Sequence, residues 1–187
     1  ENGIFNIDEL MFEMDYSIPL HEYANLISFY TLPDNDSVNA VMGDIIPTLT
    51  AVIGEATSAQ YNEDQWLGSL MNLDISSGYW LNLTNADTLN GSGISYDINR
   101  IYDLHENANL VSFPSQGSFD VSTALPDNIE GNIESIFGEG NAAMNINGEW
   151  IGSLTEFEGL HGYWIVTDAA INFSYELDPD NMLQRNI

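Results

Sequence analysis

The residues with types and spacing suited to chemistry occur almost entirely in matched pairs. Glu55 and Glu139 each follow a glycine, in Gly54-Glu55 and Gly138-Glu139. Two carboxylates can flank a scissile glycosidic bond and hydrolyse it. These two are copies of one position, however, so such a site would have to straddle two copies of a pattern. A turn role beside a strand-ending glycine is the plainer expectation. His21 and His105 also match, each four residues before an Asn-Leu-[Ile/Val]-Ser-Phe run. Local hydrogen bonds that shape a turn are expected of them, with a ligand pair across a pseudo-twofold as the alternative. His161 stands where the other copy has Ser77, and no zinc-ligand spacing emerges.

Hard oxygen donors gather in Asp34-Asn35-Asp36 and Asp178-Pro179-Asp180-Asn181. Asp34, Asp36, Asp178 and Asp180 are therefore candidate metal ligands, and calcium is the ion that such donors suit. Neither run has the alternating acids, glycine and terminal glutamate of an EF-hand loop. Solvated turns or helix caps are the plainer account of them, and no other cofactor is implied.

Aromatic residues are the candidate ligand platform. In a strand from Gly78, Tyr79, Leu81 and Leu83 share one face, while Trp80, Asn82 and Thr84 share the other. The matched strand places Trp164 with Val166 and Asp168. Trp80 and Trp164 beside amide and carboxyl groups could stack on a sugar and bind its hydroxyls; packing within the fold is the competing role. Trp66 and Trp150, each two residues before a glycine, are read as core side chains covering a small-residue groove, with ligand binding second. The chain has no G-x-S-x-G elbow, no P-loop, no dinucleotide motif and no cysteine or lysine nucleophile. A non-enzymatic role is expected.

All these pairs follow from one fact of organisation: the chain repeats itself at an offset of 84 residues, without a net gap. Leu20-His21-Glu22 returns as Leu104-His105-Glu106, Trp66-Leu67-Gly68-Ser69-Leu70 as Trp150-Ile151-Gly152-Ser153-Leu154, and Gly78-Tyr79-Trp80 as Gly162-Tyr163-Trp164. Roughly a third of the positions between 20 and 89 recur identically, and a fixed period outranks other signals for architecture. The retained titratable positions are Glu22/Glu106, His21/His105, Asp36/Asp120 and Glu55/Glu139. The expected units are residues 1–92 and 93–187. Triplets of aromatic, acidic and aliphatic residues, Phe12-Glu13-Met14 and Tyr96-Asp97-Ile98, open each unit as a strand. A third triplet, Tyr175-Glu176-Leu177, either closes the second unit at 173–177 or starts another.

Within a unit, Asn25 to Tyr30 reads as a strand followed by a turn at Leu32-Pro33-Asp34. Val38, Val41, Met42 and Ile45 fall at i, i+3, i+4 and i+7, one face of a helix capped by Asp36 or Ser37 and ended by Pro47. Its counterpart is capped by Asp120 and interrupted by Pro126. Strands at Ala51–Gly54 and 135–138 follow, then a hairpin marked by Asn147-Gly148, then the Gly78 and Gly162 strands. The fold class is α+β, predominantly β: two tandem copies of a β-rich unit, each with one short helix.

Charge excludes several classes. Against 29 acidic residues stand two basic ones, Arg100 and Arg185, giving a net charge of -27. Such a field repels phosphate backbones and anionic lipid, so neither nucleic acid nor a membrane surface is an expected partner. Asparagine occurs 21 times while lysine, with similar codons, is absent, which reads as selection for an acidic, lysine-free surface. That surface suits high salt or a cation-rich extracellular setting, and solubility alone is the plainer reason. Without cysteine there are no disulfides or thiolate sites. No apolar run is long enough to span a membrane, and a chain opening on Glu1 reads as a mature form or a segment.

The signatures N-L-[IV]-S-F, G-E-[AG], W-[LI]-G-S-L and G-Y-W, over most of residues 20 to 173, resemble a repeat of secreted or surface bacterial proteins and marine phage proteins. The resemblance implies an extracellular, cell-surface or virion location and brings no common activity with it. Taken together, these readings point to a tandem-repeat segment used for structure, display or adhesion, with neighbouring repeats or protein subunits as partners. The alternative is a carbohydrate-binding module that grips polysaccharide through its Trp and Tyr side chains with calcium assistance.

Overall fold

A computed structural model describes residues 13–95 and 97–177. The fold is predominantly β, organised around two five-stranded antiparallel sheets. The first has the order Tyr23–Ser28, Gly78–Leu83, Leu49–Gly54, Thr57–Asn62, Gln65–Gly68. The second has the order Asn107–Val111, Tyr163–Thr167, Ile133–Phe137, Ala142–Ile146, Glu149–Gly152. The 84-residue offset carries through to single pairs: Trp80 lies opposite Leu26 and Ile53, and Trp164 opposite Leu110 and Phe137. Even the irregularity between Leu49 and Ala51 recurs between Ile133 and Ser135.

Strand alternation sorts the side chains. Tyr79, Leu81 and Leu83 point into one hydrophobic core, Tyr163 and Ile165 into another. The first core draws on residues 16 to 89, and the second on residues 102 to 177. Smaller sheets flank them. Asp87–Ser95 lies between Glu13–Leu20 and Thr31–Leu32, while Tyr102–Leu104 pairs only with Ile171–Phe173 among the described residues.

The helix pattern is realised in two pieces. Val38–Val41 forms one α-turn whose N-cap is Ser37, its hydroxyl accepting from the Ala40 N–H, and Gly43–Ile45 continues as a 3-10 turn. Val38, Val41, Met42 and Ile45 are all buried, as their spacing requires. The second half differs from expectation. It carries two one-turn helices, Val121–Ala124 and Asp127–Glu130, because Pro126 cannot continue the first but fits the start of the next. Asp120 is the N-cap residue without a capping bond from its side chain.

The second opening triplet departs from expectation, while the first is a strand over its described residues. Glu13 and Met14 lie in the strand Glu13–Leu20, and Phe12 lies outside the described residues, as does Tyr96. Asp97 and Ile98 belong to a turn that the Arg100 N–H closes on the Asp97 carbonyl, so the first described strand after it is Tyr102–Leu104. Tyr175-Glu176-Leu177 belongs to no strand, its Glu176 N–H donating to the Ala124 carbonyl at 2.8 Å; Tyr175 and Leu177 are buried in the second core. There the Tyr175 ring packs on Tyr102, Phe113, Phe157 and Phe173 at centroid separations of 5.2, 5.1, 5.3 and 5.0 Å.

Candidate functional site at the junction of the two sheets

The junction is built from a turn that each half makes in the same way. The Asn25 side chain accepts from the His21 N–H at 2.8 Å and donates to the His21 carbonyl at 2.8 Å; Asn109 does the same with His105, at 2.9 and 2.9 Å. Both asparagines are buried, so the closed double bond satisfies an amide that would otherwise be costly to bury. Within this turn Tyr23 and Asn107 take left-handed φ of 76° and 79°. The resulting loop fixes the imidazole: His21 Nδ1 lies 2.7 Å from the Glu22 carbonyl oxygen, and His105 Nδ1 2.7 Å from that of Glu106.

With Nδ1 placed, Nε2 points across to the other sheet. His21 Nε2 meets Glu139 Oε1 at 2.5 Å, and His105 Nε2 meets Glu55 Oε1 at 2.5 Å. Each ring therefore faces an oxygen acceptor at both nitrogens, and only the imidazolium can donate to both. Accordingly, both histidines have their pKa raised, first by the neighbouring backbone carbonyl and then by the opposing carboxylate. The second oxygen of each carboxylate accepts a strand-edge amide: Leu26 N–H to Glu139 Oε2 at 2.6 Å, Leu110 N–H to Glu55 Oε2 at 2.8 Å.

Backbone bonds continue the exchange. The Ser28 N–H donates to the Leu160 carbonyl at 3.0 Å, and the Ser112 N–H to the Ser76 carbonyl at 2.9 Å. The Ser28 and Ser112 hydroxyls donate to the His161 and Ile75 carbonyls, at 2.6 and 2.7 Å. Single bridges Ile27↔His161 and Ser77↔Val111 extend each sheet edge with a segment of the other half. Gly78 and Gly162 make this approach feasible. A Cβ at Gly162 would lie 2.6 Å from the Ile27 carbonyl oxygen, and one at Gly78 would lie 3.0 Å from that of Val111. The Gly of G-Y-W is thus fixed by close backbone approach.

Two clefts remain beside these contacts. One, of about 350 Å³, is lined by His21, Leu26, Glu139, Glu158, Leu160 and His161 among others. The matched cleft, with Glu55, Ser76, Ser77 and His105, measures about 140 Å³. The larger holds a second imidazole–carboxylate approach, His161 Nδ1 to Glu158 at 3.6 Å. Glu55 and Glu139 line different clefts, so these carboxylates are not gathered in one pocket.

The tryptophans and aspartates singled out from sequence lie elsewhere. Trp66 and Trp150 are half-buried, with indole N–H groups engaged by Asn39 Oδ1 at 3.2 Å and Glu130 Oε1 at 2.8 Å, which ties the outermost strands to the helical turns. Gly68 and Gly152, with φ of 139° and 156°, sit where a Cβ would strike the adjacent strand's carbonyls. Trp80 and Trp164 are half-buried on the outer sheet faces, and no hydrogen bond among the described residues engages their N–H. Asp34 is exposed, Asp36 accepts from Asn72 Nδ2 at 2.7 Å, and Asp178 and Asp180 lie outside the described residues. Among the described residues, no three His, Asp or Glu side chains converge as a metal site would require.

Sequence reasoning placed the local bond of the histidines and missed the partner across the junction. The available signal was the short roster of titratable identities shared by the halves, three of whose four positions meet here: His21/His105, Glu55/Glu139 and, through its carbonyl, Glu22/Glu106. No protein-family model, curated protein or solved structure matches this chain.

Proposed function

We propose that the chain is a non-enzymatic tandem-repeat segment of an extracellular or virion surface protein, serving structure, display or adhesion. Its units, residues 1–92 and 93–187, are two copies of one β-rich module, and its partners are neighbouring repeats or protein subunits. One observation carries this reading: the histidine and glutamate positions retained in both halves are engaged in holding the halves together. The acidic, lysine-free composition and the resemblance of the repeat signatures to surface proteins support the location. Calorimetry of the full chain tests the mechanical role. One cooperative transition that splits or broadens in a Glu55→Ala, Glu139→Ala double variant is the expected result. Independent transitions in the unaltered chain would overturn it.

A second reading, a carbohydrate-binding module assisted by calcium, is favoured by Trp80 and Trp164. Each lies beside an exposed apolar neighbour, Ile53 at 43% and Phe137 at 44%, with its N–H available to a ligand. Retention on a polysaccharide panel, lost in a Trp80→Ala, Trp164→Ala variant that still folds, would establish this reading. Loss in chelator would assign a role to calcium.

A further inference from the structure

We infer that the outer face of the second five-stranded sheet meets the same face of a second copy of this chain, in a two-fold, face-to-face pair. The inference goes beyond the scaffold reading and does not depend on it. It starts from matched positions that differ. Positions turned to the cores stay apolar in both halves: Val52 and Ile136, Ala59 and Ala143, Leu81 and Ile165. On the outer faces, Ser58, Gln60, Asn62 and Asn82 of the first sheet give way to Ala142, Met144, Ile146 and Val166 in the second. One exchange, Ala51 to Ser135, runs the other way, at a position buried in both halves. The first half folds the same strands with those polar side chains exposed, so the module does not require apolar residues there. What they serve lies outside the module.

Register joins them into one surface. Trp164 lies opposite Phe137, Val166 opposite Ser135, Ser135 opposite Met144, and Met144 opposite Ile151. Phe137, Met144, Ile146 and Ile151 are 44%, 56%, 46% and 53% exposed. A contiguous apolar patch of this kind marks an interaction surface.

Charge and area select the occupant. With a net charge of -27, two copies meeting over most of their surface would set carboxylate against carboxylate. Here the ionisable side chains stand at the margins: Glu134 at the bulge, Glu149 on the outermost strand and Asp168 past a strand end. The interior is uncharged, so like-charged copies meet on it at small electrostatic cost. A cationic partner would be steered to the acidic surfaces around this face rather than to it. Two such faces are self-complementary, as packed sheets are in a sandwich. Five strands about 4.8 Å apart, of four or five residues at about 3.4 Å each, give a flat footprint of roughly 400 Å². That is about half of the roughly 800 Å² per partner in a stable interface, so the pair dissociates readily.

The test is sedimentation equilibrium of the full chain from micromolar to millimolar concentration, in low salt and in molar sodium chloride. A reversible monomer–dimer equilibrium that strengthens with salt is expected, because screening relieves the repulsion between copies. Met144→Gln, Ile146→Asn and Val166→Asn together install the residues of the matched face and should weaken the pair about tenfold or more. Gln60, Asn62 and Asn82 stand exposed at those places in the first sheet, and a thermal melt verifies that the variant folds. Glu149→Gln, again the matched residue, should tighten the pair about twofold, a gain that misfolding cannot imitate. A dimer of equal strength in the triple variant would overturn the inference. So would a chain that stays monomeric throughout, which would leave the face to a foreign protein or to a sugar at Trp164. The scaffold reading stands or falls separately, on calorimetry of the junction.

Discussion

Replacing Glu139 by alanine strips the junction of one acceptor that serves two donors. Only the backbone donor is counted, because His21 is solvent-exposed and its ion pair is screened. Leu26 is buried at 1% exposure, and its N–H has Glu139 Oε2 as acceptor at 2.6 Å. A buried donor left without a partner costs about 1–3 kcal/mol, so the middle of that range, about 2 kcal/mol, is the expected loss. For a chain of this size about 1 kcal/mol moves the thermal midpoint by about 2–4 °C, so Glu139→Ala should melt roughly 4–8 °C lower. Glu139→Gln keeps an oxygen for the amide and loses only the charge, so its expected loss is about 1 kcal/mol or less. Glu55→Ala should match Glu139→Ala, since Leu110 has the same dependence. Differential scanning calorimetry against Glu134→Ala, an exposed position where the change should stay within about 0.5 kcal/mol, reads the result. A Glu139→Ala midpoint indistinguishable from that control would refute the reasoning.

Further outcomes follow from the same geometry. The raised folded-state pKa of His21 and His105 means that their contribution is complete below the unfolded value near 6.5 and fades as pH rises through the folded value. A His21→Ala, His105→Ala variant should therefore show a flatter decline in thermal midpoint above pH 6.5 than the unaltered chain. Gly162→Ala places a Cβ against the Ile27 carbonyl and should cost about 1–3 kcal/mol in urea unfolding, with Gly78→Ala costing less because its clash is milder. In the Thr57–Asn62 to Gln65–Gly68 hairpin, Glu63 and Asp64 hold φ of 48° and 60°. Glu63→Asn with Asp64→Gly should raise stability by about 1 kcal/mol, measured by the same unfolding.

That hairpin also marks the limit of what could be read in the chain. Asn147-Gly148 announces its turn because both residues tolerate positive φ, here 56° and 87°. Glu63-Asp64 makes the matched turn with residues that give no such signal; the pairing of flanking strands imposes the conformation. Local patterns were legible in the same sense: the burial of Val38, Val41, Met42 and Ile45 follows from helical spacing, and that of Tyr79, Leu81 and Leu83 from alternation. Tyr175-Glu176-Leu177 alternates like a strand and packs like one, yet carries no ladder, since alternation reports burial and not pairing. The junction was the least legible part. His21 and Glu139 are separated by 118 residues, a distance at which no periodicity links them. Cues about surface chemistry pointed to tryptophans and aspartates, whereas the site uses a histidine whose local bond, correctly anticipated, serves to aim its other nitrogen.

The reciprocity of the junction sets a limit on assembly. Each half gives one carboxylate and receives one, and each lends a loop to the other's sheet edge. Contacts of this isologous kind have a valence of one and saturate when two halves meet. A further module could not join by repeating the same handshake, because neither half has an unused hand. Linear growth through this surface is therefore closed, and longer assemblies would have to be strings of saturated pairs joined by other faces. The covalent connection supplies the remaining advantage: it replaces bimolecular encounter by an effective concentration of order millimolar, so the pair stays closed at dilutions where separate modules would drift apart.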